Sequence, residues 1–166
     1  MPASAPARST AALGARLLRV RWIVRAPVWL YRARLGFLFG SRMLMLEHTG
    51  RKTGARRYVV LEVVDRPRPG RYVVVSGFGD QAQWFRNVRV QPRVRVSVGA
   101  HVARSATAHL LTSGETAAAL TAYAADHPRA WAALKPVFET TLGAKIGGAE
   151  TSLPMIALDL ASRPGS

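Results

Sequence analysis

From Arg42 onward, apolar positions recur with the two-residue period of strands, whereas the residues before it follow the wider spacing of helices. Met43 to His48, Arg56 to Val64 and Arg71 to Ser76 read as three strands, with Asp65-Arg-Pro-Arg-Pro-Gly70 as a turn. Arg93-Val-Arg-Val-Ser-Val98 alternates strictly, setting Val94, Val96 and Val98 on one face and Arg93, Arg95 and Ser97 on the other. Gly99-Ala100 turns the chain into a further strand, His101 to Leu111, and Leu153 to Leu160 supplies the last. Asp80 to Val90 predicts a short helix, with Trp84 and Val88 four apart and Pro92 closing it. Thr112 and Glu115 form a capping box that opens a helix over Glu115 to Ala125, and Arg129 to Thr141 is a second helical run.

The connections at 49–55, 65–70 and 99–100 are too short for the crossover that parallel strands require. The pattern predicts a mainly β fold with flanking helices, a small six-stranded antiparallel barrel. Residues 1–15, rich in Ala, Ser and Pro, read as a disordered tail, 16–41 as a basic amphipathic helical segment, 42–161 as the barrel and 162–166 as a second tail. Within the N-terminal part, Leu13 to Val24 and Ala26 to Leu38 read as two short helices separated near Pro27. Arginines interrupt every apolar run there, far short of the ~20 residues of a membrane span. With Trp22, Trp29 and Tyr31 among its arginines, the segment suits packing against the sheet or peripheral contact with an anionic membrane.

Charge narrows the choice of partner. The formal net charge is +15, and residues 1–57 carry 12 basic side chains against 1 acidic, while residues 105–166 carry 4 against 5. Such a field attracts nucleic acid, anionic lipid or a polyanionic small molecule. A GC-rich genome is the compositional alternative, since 21 of the 24 basic residues are Arg. The aromatics cluster in helices and turns instead of forming a stacking platform, which argues against a nucleic-acid-binding module. Absence of cysteine excludes disulfides, thiol nucleophiles and thiolate metal sites, and agrees with a cytoplasmic setting. The four histidines lack metal-ligand spacing, so no metal is expected.

Candidate chemistry concentrates in His48-Thr-Gly-Arg-Lys-Thr-Gly54, a turn between two strands. Gly50 and Gly54 free the backbone to bend beside Arg51 and Lys52, Thr53 adds a hydroxyl, and Arg57 follows closely, as in an anion cradle. The alternative is an ordinary solvated basic hairpin. It is not a P-loop, because Leu46 and Arg51 occupy both required glycine positions. Ser76-Gly-Phe-Gly79 ends a strand and leads into the helix carrying Trp84 and Asn87, so a flat, amphipathic ligand suits the same end of the sheet. Gly77-Phe-Gly-Asp-Gln-Ala82 meets the relaxed dinucleotide pattern, but no acidic residue lies between Asp80 and Glu115 to hold a ribose. No G-x-S-x-G elbow or spaced carboxylate pair announces a hydrolase, which leaves the chemistry to a bound cofactor.

Leu46-Glu-His-Thr-Gly-Arg-Lys-Thr-Gly54, Tyr72-Val-Val-Val-Ser-Gly-Phe-Gly79, Trp84-Phe-Arg-Asn-Val88 and Gln91-Pro-Arg-Val-Arg-Val96 together resemble the deazaflavin-dependent nitroreductase family, over roughly residues 35 to 160. The resemblance implies an FMN-binding type of split β-barrel. It implies coenzyme F420 as cofactor, a deazaflavin with a phosphodiester and an oligoglutamate tail. It further implies hydride transfer to a small electron-poor acceptor such as a quinone, enone or nitro compound. It assigns the phosphate to the loop Gly50, Arg51, Lys52, Thr53 and Gly54 with Arg57. The deazaflavin goes to Ser76, Gly77, Phe78, Gly79, Trp84 and Asn87, with Ser76 as a candidate catalytic hydrogen-bond donor. FMN is the alternative cofactor, and a non-catalytic deazaflavin-binding protein is the alternative function. Such barrels often dimerise. Active nitroreductases of the family place several tyrosines in the helix after Ala125, where this chain has only Trp131, with Tyr123 just upstream. Reduction of bicyclic nitroimidazoles is therefore not expected, and His127 is a candidate proton donor.

Overall fold

A computed structural model describes residues 41–142, 146 and 153–162. The expectations for residues 1–40 and 163–166, including the two basic helices and any membrane contact through them, lie outside the described residues. The strands are β1 (Met43–Thr49), β2 (Arg56–Arg68), β3 (Arg71–Val75), β4 (Arg93–Val98), β5 (His101–Leu110) and β6 (Met155–Leu160). The helices are α1 (Gln83–Val90), preceded by a 3-10 turn at Gly79–Gln81, α2 (Ser113–Asp126) and α3 (Pro128–Leu142). All neighbouring strands are antiparallel and close into a barrel in the order β1-β2-β3-β6-β5-β4.

Strict alternation in that order sends β1, β3 and β5 one way and their neighbours the other. The segments 50–55 and 76–92, which hold the two glycine-rich stretches, therefore emerge at the same end of the barrel. The inward residues are those that the alternation selects. Leu44, Leu46, Val74, Val96 and Leu158 form an inner core that Trp84, Phe85 and Val88 of α1 complete. A second core lies outside the barrel, where Val73, Met155 and Ala157 pack against Ala119 and Leu120 of α2. Burying each such aliphatic side chain contributes on the order of 1.5 to 3 kcal/mol.

Two expectations need correction. Asp65 to Gly70 is not a turn: β2 continues through Arg68, and the hairpin is tightened to Pro69-Gly70, with Gly70 at φ 77°. Register shifts between Val63 and Asp65 and between Asp65 and Arg68 absorb Pro67, which has no N–H for the ladder. Arg68 and Arg71 both donate to Asp159 of β6, at 2.7 and 3.1 Å, which ties this long hairpin down. The helix over Asp80 to Val90 is likewise split, because Ala82 is extended and buried between the 3-10 turn and α1.

The predicted capping box is present. Thr112 Oγ1 accepts from the Glu115 N–H, and the Glu115 carboxylate accepts from the Thr112 N–H at 2.8 Å. The Thr112 N–H and, at 2.9 Å, the Thr112 hydroxyl both donate to the Glu115 carboxylate and hold it below its ordinary pKa. Thr112→Ala is expected to destabilise the fold by about 1 kcal/mol, read as a lower urea midpoint with unchanged slope. An unchanged midpoint would show that tertiary packing alone fixes the start of α2.

Candidate functional site

The β1–β2 turn is held closed by its own backbone. Gly50 N–H donates to the Ala55 carbonyl, and Gly54 N–H to the Gly50 carbonyl, both at 2.8 Å. Thr53 Oγ1 accepts from the Ala55 N–H at 3.3 Å. Gly54 adopts φ 67°, which L side chains resist. At Gly50 the need is for space: a Cβ there would stand 2.9 Å from Arg57 Nε and 3.1 Å from Thr53 Oγ1.

The two adjacent cations do different work. Arg51 is turned onto α1, where its Nη1 donates to Asn87 Oδ1 at 2.9 Å and to Gln83 Oε1 at 3.0 Å. Its backbone N–H also donates to Asn87 Oδ1, at 3.1 Å. Lys52 and Arg57 have no hydrogen-bond or ion-pair partner among the described residues, and both are exposed. They line a pocket of about 150 Å³ together with Gly50, Arg51, Thr53, Gln83 and Asn87. A second cleft of about 430 Å³ runs over β1, β4 and β5, lined by Glu47, Arg56, Arg93 and Arg95 among others, with Arg56 3.7 Å from Glu47.

Behind Arg51 the network continues inward. Asn87, 3% exposed, has its Nδ2 3.2 Å from Nδ1 of His48, itself 4% exposed. Burial, then the Arg57 charge, lowers the His48 pKa from 6.5 to about 4, against a backbone hydrogen bond at Thr49 that raises it. The unfolded chain takes up this proton near pH 6.5 while the folded chain resists it to about 4. Stability is thus complete above pH 6.5 and falls as the pH drops through that window, by on the order of 2 to 3 kcal/mol. Urea unfolding from pH 7 to 4 is expected to show this loss, and His48→Asn to remove most of it.

The glycine turn closes differently from the expectation for Ser76. Ser76 is fully buried and its Oγ donates to the Gly79 carbonyl at 2.5 Å, so it fastens the turn instead of facing an acceptor. Gly79 has φ 62° and is buried, Gly77 is half-buried, and Phe78 is 66% exposed. Trp84 lies in the inner core, edge-on to Phe85 at 5.8 Å. Asn87 is committed to Arg51 and His48, not to an open face. His127 is exposed at the end of α2 with its ring 5.1 Å from that of Tyr123, whose hydroxyl donates to Glu62 at 2.9 Å. The Tyr123 hydroxyl is pushed up to about 12 by burial and by Glu62. His127 borders a separate pocket with Arg42, at the start of β1, so it lies away from the Lys52 pocket.

The structure sets the loop against α1, and Gln83 and His48, which the sequence reading did not single out, join its hydrogen-bond network. Both had a signal. Gln83 precedes Asn87 by one helical turn, and His48 continues the inward alternation of Leu44 and Leu46.

Residues 22–135 match the family model of the F420H(2)-dependent quinone reductases. The chain belongs to this family. It is an F420H2-dependent reductase, and its cofactor is coenzyme F420. Among solved structures, that of an F420-H2 dependent reductase, FDR-A, superposes with a TM-score of 0.51 at 23% identity, over 71% of this chain and 94% of the other. A domain-swapped dimer superposes at 0.52 with 23% identity, over 72% of this chain and 81% of the other. A protein of unknown function, Atu2129 from Agrobacterium tumefaciens, gives 0.52 at 17% identity, over 81% of this chain and 55% of its own. These likenesses support the barrel fold. No curated protein matches the chain. Among the described residues, no helix is long and apolar enough to cross a membrane.

The residues fit the anionic end of F420. Lys52 and Arg57 offer charge that is unpaired among the described residues, and the space that a Cβ at Gly50 would fill lets Arg57 approach the turn.

Proposed function

We propose that the enzyme holds the phosphate of coenzyme F420 between Lys52 and Arg57, directs the deazaflavin toward Gly77, Phe78 and Gly79, and reduces a small hydrophobic acceptor of quinone, enone or nitro type. The observation that carries this reading is the pocket beside the β1–β2 turn. Its two cations, unpaired among the described residues, stand beside Gln83 and Asn87 of α1, at the barrel end where the glycine turn also emerges. Reduced F420 supplies a hydride when bound.

The protein's part is to bind and orient. Lys52 and Arg57 provide charge-assisted hydrogen bonds, each worth about 1.5 to 3 kcal/mol. Arg51, Gln83 and Asn87 fix the turn against α1, so little order has to be gained on binding. Phe78 presents the exposed apolar surface that a ring or an acceptor requires. The positive charge of the chain draws a polyanionic coenzyme toward this end.

Fluorescence titration with F420, with FMN in parallel, tests the site. Saturable binding of F420 alone is expected, followed by oxidation of the reduced coenzyme when a quinone such as menadione is added. Failure to bind F420 would remove the loop assignment. Binding without turnover of quinone, enone or nitro acceptors would leave a coenzyme-binding protein. A homodimer belongs to the same reading, supported by the domain-swapped dimer among the fold relatives, and light scattering checks it. Peripheral membrane contact through residues 16–41 rests on their arginines. Deletion of residues 1–34 followed by liposome sedimentation decides it.

A further inference from the structure

The Asn87 amide stands between two buried or half-buried neighbours, and its orientation follows from them. Arg51 presents two donors to it, the backbone N–H at 3.1 Å and Nη1 at 2.9 Å. Neither can accept, so the atom facing Arg51 must be the carbonyl oxygen. The NH2 group then faces His48 Nδ1 at 3.2 Å, and that nitrogen must carry a lone pair, not a proton. A proton on Nδ1 would set donor against donor at a site where His48 and Asn87 are 4% and 3% exposed and water cannot substitute.

We propose that His48 is a positioning residue for the anion loop: its Nδ1 lone pair fixes the Asn87 amide, which fixes Arg51 and thereby the turn that presents Lys52. Arg51 then acts as a strut, although it stands next to Lys52 in the same motif. The chain of contacts runs from the barrel interior through α1 to the loop, spanning 39 residues from His48 to Asn87 and 36 back to Arg51. Gln83, more exposed, gives Arg51 a second acceptor, but it does not touch His48. The effect on the coenzyme rests on the proposed reading of the loop as its phosphate site; the tautomer does not.

Two measurements test it. In wild-type protein, long-range proton–nitrogen NMR of the histidine rings at pH 7 is expected to show His48 with the proton on Nε2 and an unprotonated Nδ1. A proton on Nδ1 would overturn the proposal whatever the coenzyme does. The second is F420 binding by folded variants. His48→Leu removes the acceptor and is expected to weaken binding about tenfold. His48→Asn places an acceptor oxygen near the Nδ1 position and is expected to stay within about threefold of wild type. Wild-type affinity in folded His48→Leu would overturn the positioning role. So would equal losses in both variants, because rescue by an acceptor is what distinguishes orientation from packing. Should His48→Leu not fold, the ring tautomer and His48→Asn still decide. Absence of F420 binding by the wild type would instead defeat the phosphate reading, and with it the loop's effect on the coenzyme.

Discussion

Lys52→Ala is expected to weaken binding of coenzyme F420 by about 10- to 150-fold, or about 1.5 to 3 kcal/mol, the scale of a lost charge-assisted hydrogen bond. The expectation follows from what Lys52 does not touch. Its side chain is exposed and makes no hydrogen bond or ion pair among the described residues, so truncation breaks none of their contacts of that kind. Stability should therefore stay within about 0.5 kcal/mol of wild type. Arg51→Ala is the instructive contrast. It removes both side-chain hydrogen bonds to Asn87 and Gln83, so it should lower stability and affinity together. Titrations at low and high salt add a second constraint: the Lys52 contribution is solvent-facing and should shrink as salt screens it. Wild-type affinity in a folded Lys52→Ala protein would remove Lys52 from the coenzyme site.

The different fates of Arg51 and Lys52 show where sequence reading stops. Strand periodicity was legible because one face of each strand meets a core, and β4 over Arg93–Val98 has the expected bounds. The capping box was legible because both partners lie within four residues. Asp65 to Gly70 misled for a physical reason: Pro and Gly ordinarily end strands, but two register shifts carry β2 past Pro67. At the site, the glycines and cations of the turn are local, which is why the turn could be read as a candidate anion cradle. Which cation is free depends on Asn87, which reaches back over 36 residues. No local pattern contains that choice. Ser76 and Trp84 illustrate the same limit from the other side, since a residue beside a glycine turn can close the turn or fill the core as readily as face a ligand.

Phe85→Ala is expected to destabilise the protein by about 3 to 5 kcal/mol. Phe85 is 2% exposed in the inner core, edge-on to Trp84, and carries the Arg89 guanidinium 5.9 Å from its ring centre. Truncation removes the transfer free energy of the ring and leaves a cavity beneath α1, where the strands cannot close in because the barrel ladder holds them apart. Function should follow stability here. The same short helix sends Phe85 and Val88 into the barrel and Gln83 and Asn87 toward Arg51, so loosening its apolar side slackens the β1–β2 turn. Urea unfolding followed by tryptophan fluorescence measures the first effect, and F420 titration below the transition measures the second. Val90→Ala, on the same helix but 65% exposed, should change stability by less than about 0.5 kcal/mol and serves as the control. A Phe85→Ala loss below about 1 kcal/mol would show that the core does not anchor α1. Wild-type F420 affinity in the folded variant would show that the loop keeps its shape without a tightly seated helix.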